Sequence, residues 1–420
     1  MPKRLLIIYP HWPPSNLAGV HRSRLIANFL PEFDWKPTVL TVRSEFYEEP
    51  PDPDLCRTVA EHVKVHHANA FRVGNRFRLV GDIGLRSFFQ LWRAALKLIK
   101  QERPDFIWIP IPSFYVALLG RLLHAKTGIP YGIDYIDPWV RPLHPSQNRL
   151  SRAGLSLLFA KILEPIAVRK ASLVSGVSRP YYEPVLERNF RKRAVVDVAM
   201  PYGFDPNDHI LEPNNLDLLW EDNTEAWVYA GAYLPKSALF FEHLFSAVKA
   251  MRNRGAWSEN VRMYFVGTGH YRGKGISDFA RQFDLQDIVV EQRERFPFLR
   301  VQRFLRNAAR VLLIGSVDQH YTASKTFQCV LSKRPVLAIL HHESTAANFL
   351  TDSNADEHLV RYMPAEDNAV LSQKIRNALG RFTNELCESA WNPDLRMLNK
   401  HSSRQSAELL AAGLTKAIKL

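Results

Sequence analysis

Short, unbroken apolar runs alternate with amphipathic stretches along most of the chain. LLIIY (5–9), PTVLTV (37–42), DFIWIPI (105–111), IPYGIDYID (129–137) and ASLVSGVS (171–178) have strand length and few polar interruptions. Between them lie segments with helical spacing. In HRSRLIANFL, Leu25, Ile26, Phe29 and Leu30 fall on one helical face, and VALLGRLLHAKTG (116–128) reads as a helix that Gly128 stops. Strands without polar alternation are covered on both faces, so the pattern predicts a parallel sheet between helical layers. The stretch FIWIPIPSFYVALLG (106–120) is cut by Pro110 and Pro112. It is expected to be a core strand running through a loop into a helix. No stretch reaches the roughly 18–20 uninterrupted apolar residues that a membrane-spanning helix needs.

Around 195–225 the periodicity fades and Pro, Asn and Asp accumulate, which predicts a boundary. The alternation then restarts with WVYAG (227–231), VRMYFVGTG (261–269), DIVVE (287–291), RVLLIG (310–315) and PVLAIL (335–340). The expected class is α/β, with two doubly wound Rossmann-like domains facing a central cleft. Residues 1–205 form the first domain, 206–225 a linker, 226–395 the second domain, and 396–420 a C-terminal helix able to pack back on the first. Ligands of such sheets bind beyond the strand C-terminal ends, where the strand order switches.

Composition adds limits. Of 420 residues, 46% are hydrophobic and 11% aromatic, which supports folded cores and excludes global disorder. Cys56, Cys329 and Cys387 are few and widely spaced, with neither a disulfide framework nor metal-ligand spacing. The short apolar run after Met1, met at once by prolines, does not read as a signal peptide. A cytoplasmic setting follows. The formal charge of +13 calls for an anionic partner. In 72–103, arginines and lysines are interleaved with Phe71, Phe77, Phe88, Phe89 and Trp92. That mixture suits anionic lipid headgroups and equally suits a helix with a solvated basic face. No nucleic-acid-binding module is recognisable.

The fold alone gives no activity, so the strand ends carry the chemistry. In GAYLPKS (231–237), Gly231 lets a ligand approach the backbone and Lys236 offers a mobile point charge suited to phosphate; the same residues make an ordinary turn. Gly267 and Gly269 in VGTG form a short turn, neither a dinucleotide fingerprint nor a Walker loop. SKTFQCVLSKRPVLA (324–338) is the stronger signal. Ser324 is expected to cap a helix that turns Phe327, Val330 and Leu331 inward, leaving the first amides for an anion. Lys325 in that first turn opposes the helix dipole, a poor choice for stability that a bound diphosphate offsets. Asp52-Pro53-Asp54 is expected to be a loop. His66-His67 and His341-His342-Glu343 are expected to hold no metal, because adjacent residues point in different directions.

Taken in order, YPHWPPSNLAGVHRSRL, DYIDPW (134–139), PYGFD (201–205), GAYLPKS, FVGTG and SKTFQCVLSKRPVLA resemble the GT-B glycosyltransferases, specifically glycosyltransferase family 4. The resemblance covers nearly the whole chain. It implies a nucleotide-sugar held mainly by the C-terminal domain, with a UDP-sugar as first expectation. It also implies retaining transfer without a metal or other cofactor, and a glycan or lipid-linked acceptor on the N-terminal side. The implied leaving-phosphate contacts are Lys236 and Lys325, with Asp137 at the acceptor. Gly19, Gly231, Gly267, Gly269, His320, Ser324, Thr326 and Gln328 line the donor. The family's two donor glutamates fall at His320 and Gln328, which can hydrogen-bond hydroxyls but bring no carboxylate. Two other possibilities stay open: a non-catalytic GT-B binding module, and a nucleotide-sugar epimerase or phosphorylase of the same fold. A basic first domain suits peripheral attachment at the inner face of a membrane, or a soluble glycan.

Overall fold

The structure, a computed structural model, describes residues 2–72, 82–141, 151–271, 273–317, 325–384, 387 and 391–420. It divides into two compact units, Met1–Asp205 with His401–Leu420, and Pro206–Lys400.

The first unit is built on β1 (Lys3–Ile8), β2 (Trp35–Val42), β3 (Lys64–Ala68), β4 (Phe106–Ile111), β5 (Tyr131–Tyr135), β6 (Leu173–Gly176) and β7 (Val196–Ala199). All neighbours run parallel, in the order β3-β2-β1-β4-β5-β6-β7. Ile7 lies between Val39 and Trp108 across the register, and all three are fully buried. One sheet face packs against the helices Phe88–Glu102, Ala117–Thr127 and Arg152–Val168. The other packs against Ala18–Phe29 and the C-terminal helix Ser403–Ala417, which belongs to this unit. Gly128 ends its helix at φ 75° as expected, its N–H bonding to His124 O at 2.8 Å.

A charged knot fastens this unit. Arg22, fully buried in the helix Ala18–Phe29, reaches Asp134 on β5 through Nε (2.7 Å) and Nη2 (3.1 Å). Ser175 on β6 donates to the same carboxylate at 2.7 Å, and Arg22 also donates to Pro201 O at 2.8 Å. The Arg22–Asp134 pair therefore ties the helix, two strands and the chain after β7 together. A buried pair of this kind adds little net stability but is costly to break.

The second unit holds β8 (Glu225–Ala230), β9 (Val261–Val266), β10 (Val289–Gln292), β11 (Arg310–Ile314), β12 (Val336–His341) and β13 (Leu359–Tyr362). The strands are parallel in the order β10-β9-β8-β11-β12-β13. Its core is dense in aromatics: Trp227, Tyr229, Phe240, Phe241, Phe245 and Phe265 are buried, and Tyr229, Phe241, Phe245 and Phe265 meet edge to face or tilted. Residues 206–225 pack within this unit, Glu212 accepting from Arg303 (2.7 Å) and Arg306 (2.6 Å).

Candidate functional site

In the second sheet the strand order turns back on itself between β8 and β11, and the loops beyond their C-terminal ends define the switch point. The loop after β8 begins at Gly231, whose φ of 140° no ordinary side chain adopts comfortably. A Cβ placed there would lie 1.1 Å from Lys325 Nζ. The two residues, far apart in sequence, thus meet at the crevice, and the space that Gly231 leaves is filled by the lysine. The ammonium also lies 5.6 Å from the centre of the Tyr229 ring. Burial, together with the nearby Arg295 charge, pushes the Lys325 pKa down to about 8. Among the described residues no carboxylate pairs with it.

The neighbouring loops are laced together around this point. Gly231 N bonds to Val266 O at 2.8 Å and Tyr233 N to Thr268 O at 2.9 Å, joining the loops after β8 and β9. Val317 N bonds to Lys236 O at 3.2 Å, joining the loops after β11 and β8. Lys236 itself is exposed, in the turn Pro235–Ser237. Gly267 and Gly269 sit at φ 69° and 79° in the turn after β9, with their N–H groups on Gln292 O (2.8 Å) and Arg293 O (2.9 Å). The turn is anchored by Glu291, a residue that sequence reasoning missed. Its inaccessible carboxylate accepts from Thr268 Oγ1 (2.8 Å), Tyr271 Oη (2.6 Å), and Ser277 N (3.2 Å) and Oγ (2.5 Å). Burial alone would raise its pKa, but these donors outweigh it and hold the group below the usual value. The only signal in the sequence was an acid closing an otherwise apolar strand.

The helix after β11 spans Thr326–Leu331, so Lys325 stands just before it rather than inside its first turn. Its six residues make a weak dipole, and the anion-attracting element is the Lys325 ammonium rather than a long helix. Thr326 is buried, Gln328 half-buried, and Phe327 packs edge to face on Phe349 at 4.8 Å; Leu331 is half-buried rather than turned fully inward. The expectations for His320 and Ser324 fall outside the described residues, as does part of the 72–103 stretch. The described remainder includes the helix Phe88–Glu102, which exposes Arg93, Lys97 and Lys100.

In the first unit, Gly19 lies in the first turn of the helix Ala18–Phe29, not in a loop. A Cβ there would fall 2.1 Å from Tyr9 Oη, so Gly19 makes room for that hydroxyl. Asp137, beyond β5, pairs with Arg141 at 2.9 Å, both partly exposed. Sequence reasoning also missed a polar cluster beyond β1 and β2. His11 Nδ1 is 3.0 Å from Glu49 Oε1, and Ser15 donates to the same oxygen. Despite the opposing effect of burial, these partners bring the Glu49 pKa down to about 2. Asn16 links His21 (2.8 Å) to Asp52 (3.0 Å). Asp52-Pro53-Asp54, expected as a loop, instead opens the 3-10 helix Pro53–Thr58, with both acids buried. His341 and His342 do not point apart as expected. Their rings stack at 4.8 Å, and with Glu343 they bring donor atoms within 4.8 Å of one another; His341 Nδ1 is taken by Glu343 N at 3.2 Å.

Two Rossmann-like parallel sheets in one chain are the GT-B class of architecture, and whole-chain comparison agrees. Anabaena HepE, solved with UDP and glucose, matches at TM-score 0.61 and 16% identity, covering 99% of this chain and 100% of its own. Sucrose-phosphate synthase from Thermosynechococcus elongatus matches at 0.58 and 13%, covering 99% and 97%. An E. coli trehalose-6-phosphate structure with UDP-2-fluoro glucose matches at 0.59 and 13%, covering 99% of each chain. No curated protein sequence matches. Residues 18–200 match the Glycosyl transferase 4-like domain, and the fold of the whole chain is the GT-B architecture.

Proposed function

We propose that the protein transfers a sugar from a nucleotide-sugar, a UDP-sugar first, to a glycan or lipid-linked acceptor. The observation that carries this is the meeting of Lys325 with Gly231 at the β8/β11 switch point. A largely desolvated ammonium with no carboxylate paired to it among the described residues favours an anion beside it. A diphosphate fits that need in size and charge. The structures bound to UDP and to UDP-2-fluoro glucose share the fold and make a uridine nucleotide the first candidate.

In the proposed reaction the bond from sugar C1 to the diphosphate oxygen breaks and C1 bonds to an acceptor oxygen. The acceptor proton passes to the departing phosphate, as the family resemblance implies for retention. Charge gathers on the leaving diphosphate, and stabilising it is the main task of the protein. Lys325 and the exposed Lys236 supply that charge. Gly267 and Gly269 leave their positions in the turn without side chains, and Thr268 between them is held by Glu291. Thr326 and Gln328 line the donor, with His320 and Ser324 assigned by sequence alone. Asp137 and the His11–Glu49 pair are placed at strand ends in the acceptor-side unit. No step requires a metal.

The rival is a non-catalytic module of the same fold. The neutral residues His320 and Gln328 at the donor-glutamate positions favour it. A thermal-shift panel of UDP-, GDP-, dTDP- and ADP-sugars tests binding through its linkage to folding. The proposal expects a rise in Tm with a UDP-sugar that Lys325→Ala erases, and sugar transfer or slow donor hydrolysis in the wild type. Binding without turnover supports the module, and no shift with any donor contradicts both.

A further inference from the structure

The helix Arg152–Val168 is apolar on two faces. Its inner side packs into the core through Ala160, Ala167 and Val168. Its outer side carries Leu155, Leu158, Phe159, Ile162 and Ile166, each between 46 and 52% exposed. At about 100° per residue these five fall within an arc of about 100°. They form one stripe rather than scattered residues. Leu122, 45% exposed, continues the apolar surface on the neighbouring helix Ala117–Thr127. Isolated exposed leucines need no explanation, but a contiguous stripe of this size marks a covered surface.

The charges around the stripe choose the occupant. Lys161, Arg169 and Lys170 are exposed beside it or at its end. The one acid of the helix, Glu164, is turned inward and buried, held by Arg188 at 2.7 Å and 3.2 Å. The outer surface of the helix therefore presents apolar groups and cations without a carboxylate. A second copy of the chain would bring two rims of the same sign together. An anionic bilayer matches both halves of the pattern: acyl chains accept the Leu, Phe and Ile side chains, and phosphate headgroups meet the lysines and arginine. No described helix is long and apolar enough to cross a membrane.

We propose that the outer face of Arg152–Val168 lies in the interface of an anionic lipid bilayer, anchoring the first unit to the membrane surface. This goes beyond the transferase reading and does not need it, because attachment is measured without donor or acceptor. The test is co-sedimentation of the full chain with vesicles of phosphatidylcholine alone or with about 30 mol % phosphatidylglycerol. The expected result is binding to the anionic vesicles about tenfold above the neutral ones. A Leu158→Ser, Phe159→Ser, Ile162→Ser variant should lose that binding with its thermal unfolding unchanged, since the three side chains are already half exposed. A Lys161→Glu, Lys170→Glu variant should lose the preference for anionic vesicles. Failure of the wild type to sediment with either vesicle overturns the proposal, as does unaltered binding by the triple serine variant. So does a dimer in light scattering that the serine variant disperses while vesicles capture nothing.

Discussion

Gly231 shows how much one missing side chain decides. Its φ of 140° and the 1.1 Å approach of Lys325 to a hypothetical Cβ leave no room for alanine. Gly231→Ala must either strain the backbone or expel the ammonium from the crevice. We expect it to weaken nucleotide-sugar affinity by at least about tenfold, a loss of about 1.4 kcal/mol, in isothermal titration. A variant that binds as the wild type does would show that the lysine acts elsewhere. Neither residue was decisive in the sequence. A glycine after a strand is usually a turn, and a lysine before a short helix is usually solvated. Only the fold reveals that the two share one volume, because nothing local in either segment encodes the other. Hydrogen-bonding capacity was easier to foresee at Gln328 than the burial that makes Lys325 unusual.

The turn after β9 depends on an element-scale device, the Glu291 carboxylate at the end of β10. Three hydroxyls and an amide converge on it. Glu291→Gln keeps the shape but replaces an acceptor oxygen with a donor that faces other donors. Bonds to charged groups contribute about 1.5–3 kcal/mol, and Tm falls about 2–4 °C per kcal/mol in a unit of this size. A drop of several degrees by calorimetry is expected, and an unchanged Tm would deny the turn its anchor. Most strands that the pattern revealed are inner ones, whose apolar runs are covered on both faces; the exception is β10, an edge strand whose DIVVE run stays apolar. The strands it missed, KVHHA, VDVA and LVRY, are β3, β7 and β13. Each lies at a sheet edge, is short and has exposed or half-exposed positions, so solvent tolerates polar residues there and the run is broken. The basic helix Phe88–Glu102 shows the opposite error of emphasis. Its charges are exposed, while the exposed apolar stripe lies on Arg152–Val168, a segment that the sequence pattern did not single out.

Across the whole molecule, two switch-point sheets supply a scaffold, and the second holds Lys325, a largely desolvated cation that no carboxylate among the described residues pairs with. That imbalance has a pH signature. Because the folded-state pKa of Lys325 is depressed to about 8, the unfolded chain holds this proton more tightly between pH 8 and the ordinary lysine value. Stability from this group therefore rises with pH across that window, while affinity for a diphosphate falls as the ammonium loses its proton. Opposite trends in stability and affinity from one side chain are difficult to produce by general alkaline weakening. The most direct test is titration of UDP-glucose into the full chain at pH 7 and pH 9.5, for the wild type and Lys325→Ala. The account predicts binding by the wild type that weakens about tenfold or more at the higher pH, and none by the variant at either pH. Equal binding by both proteins, or wild-type affinity indifferent to pH, would contradict it.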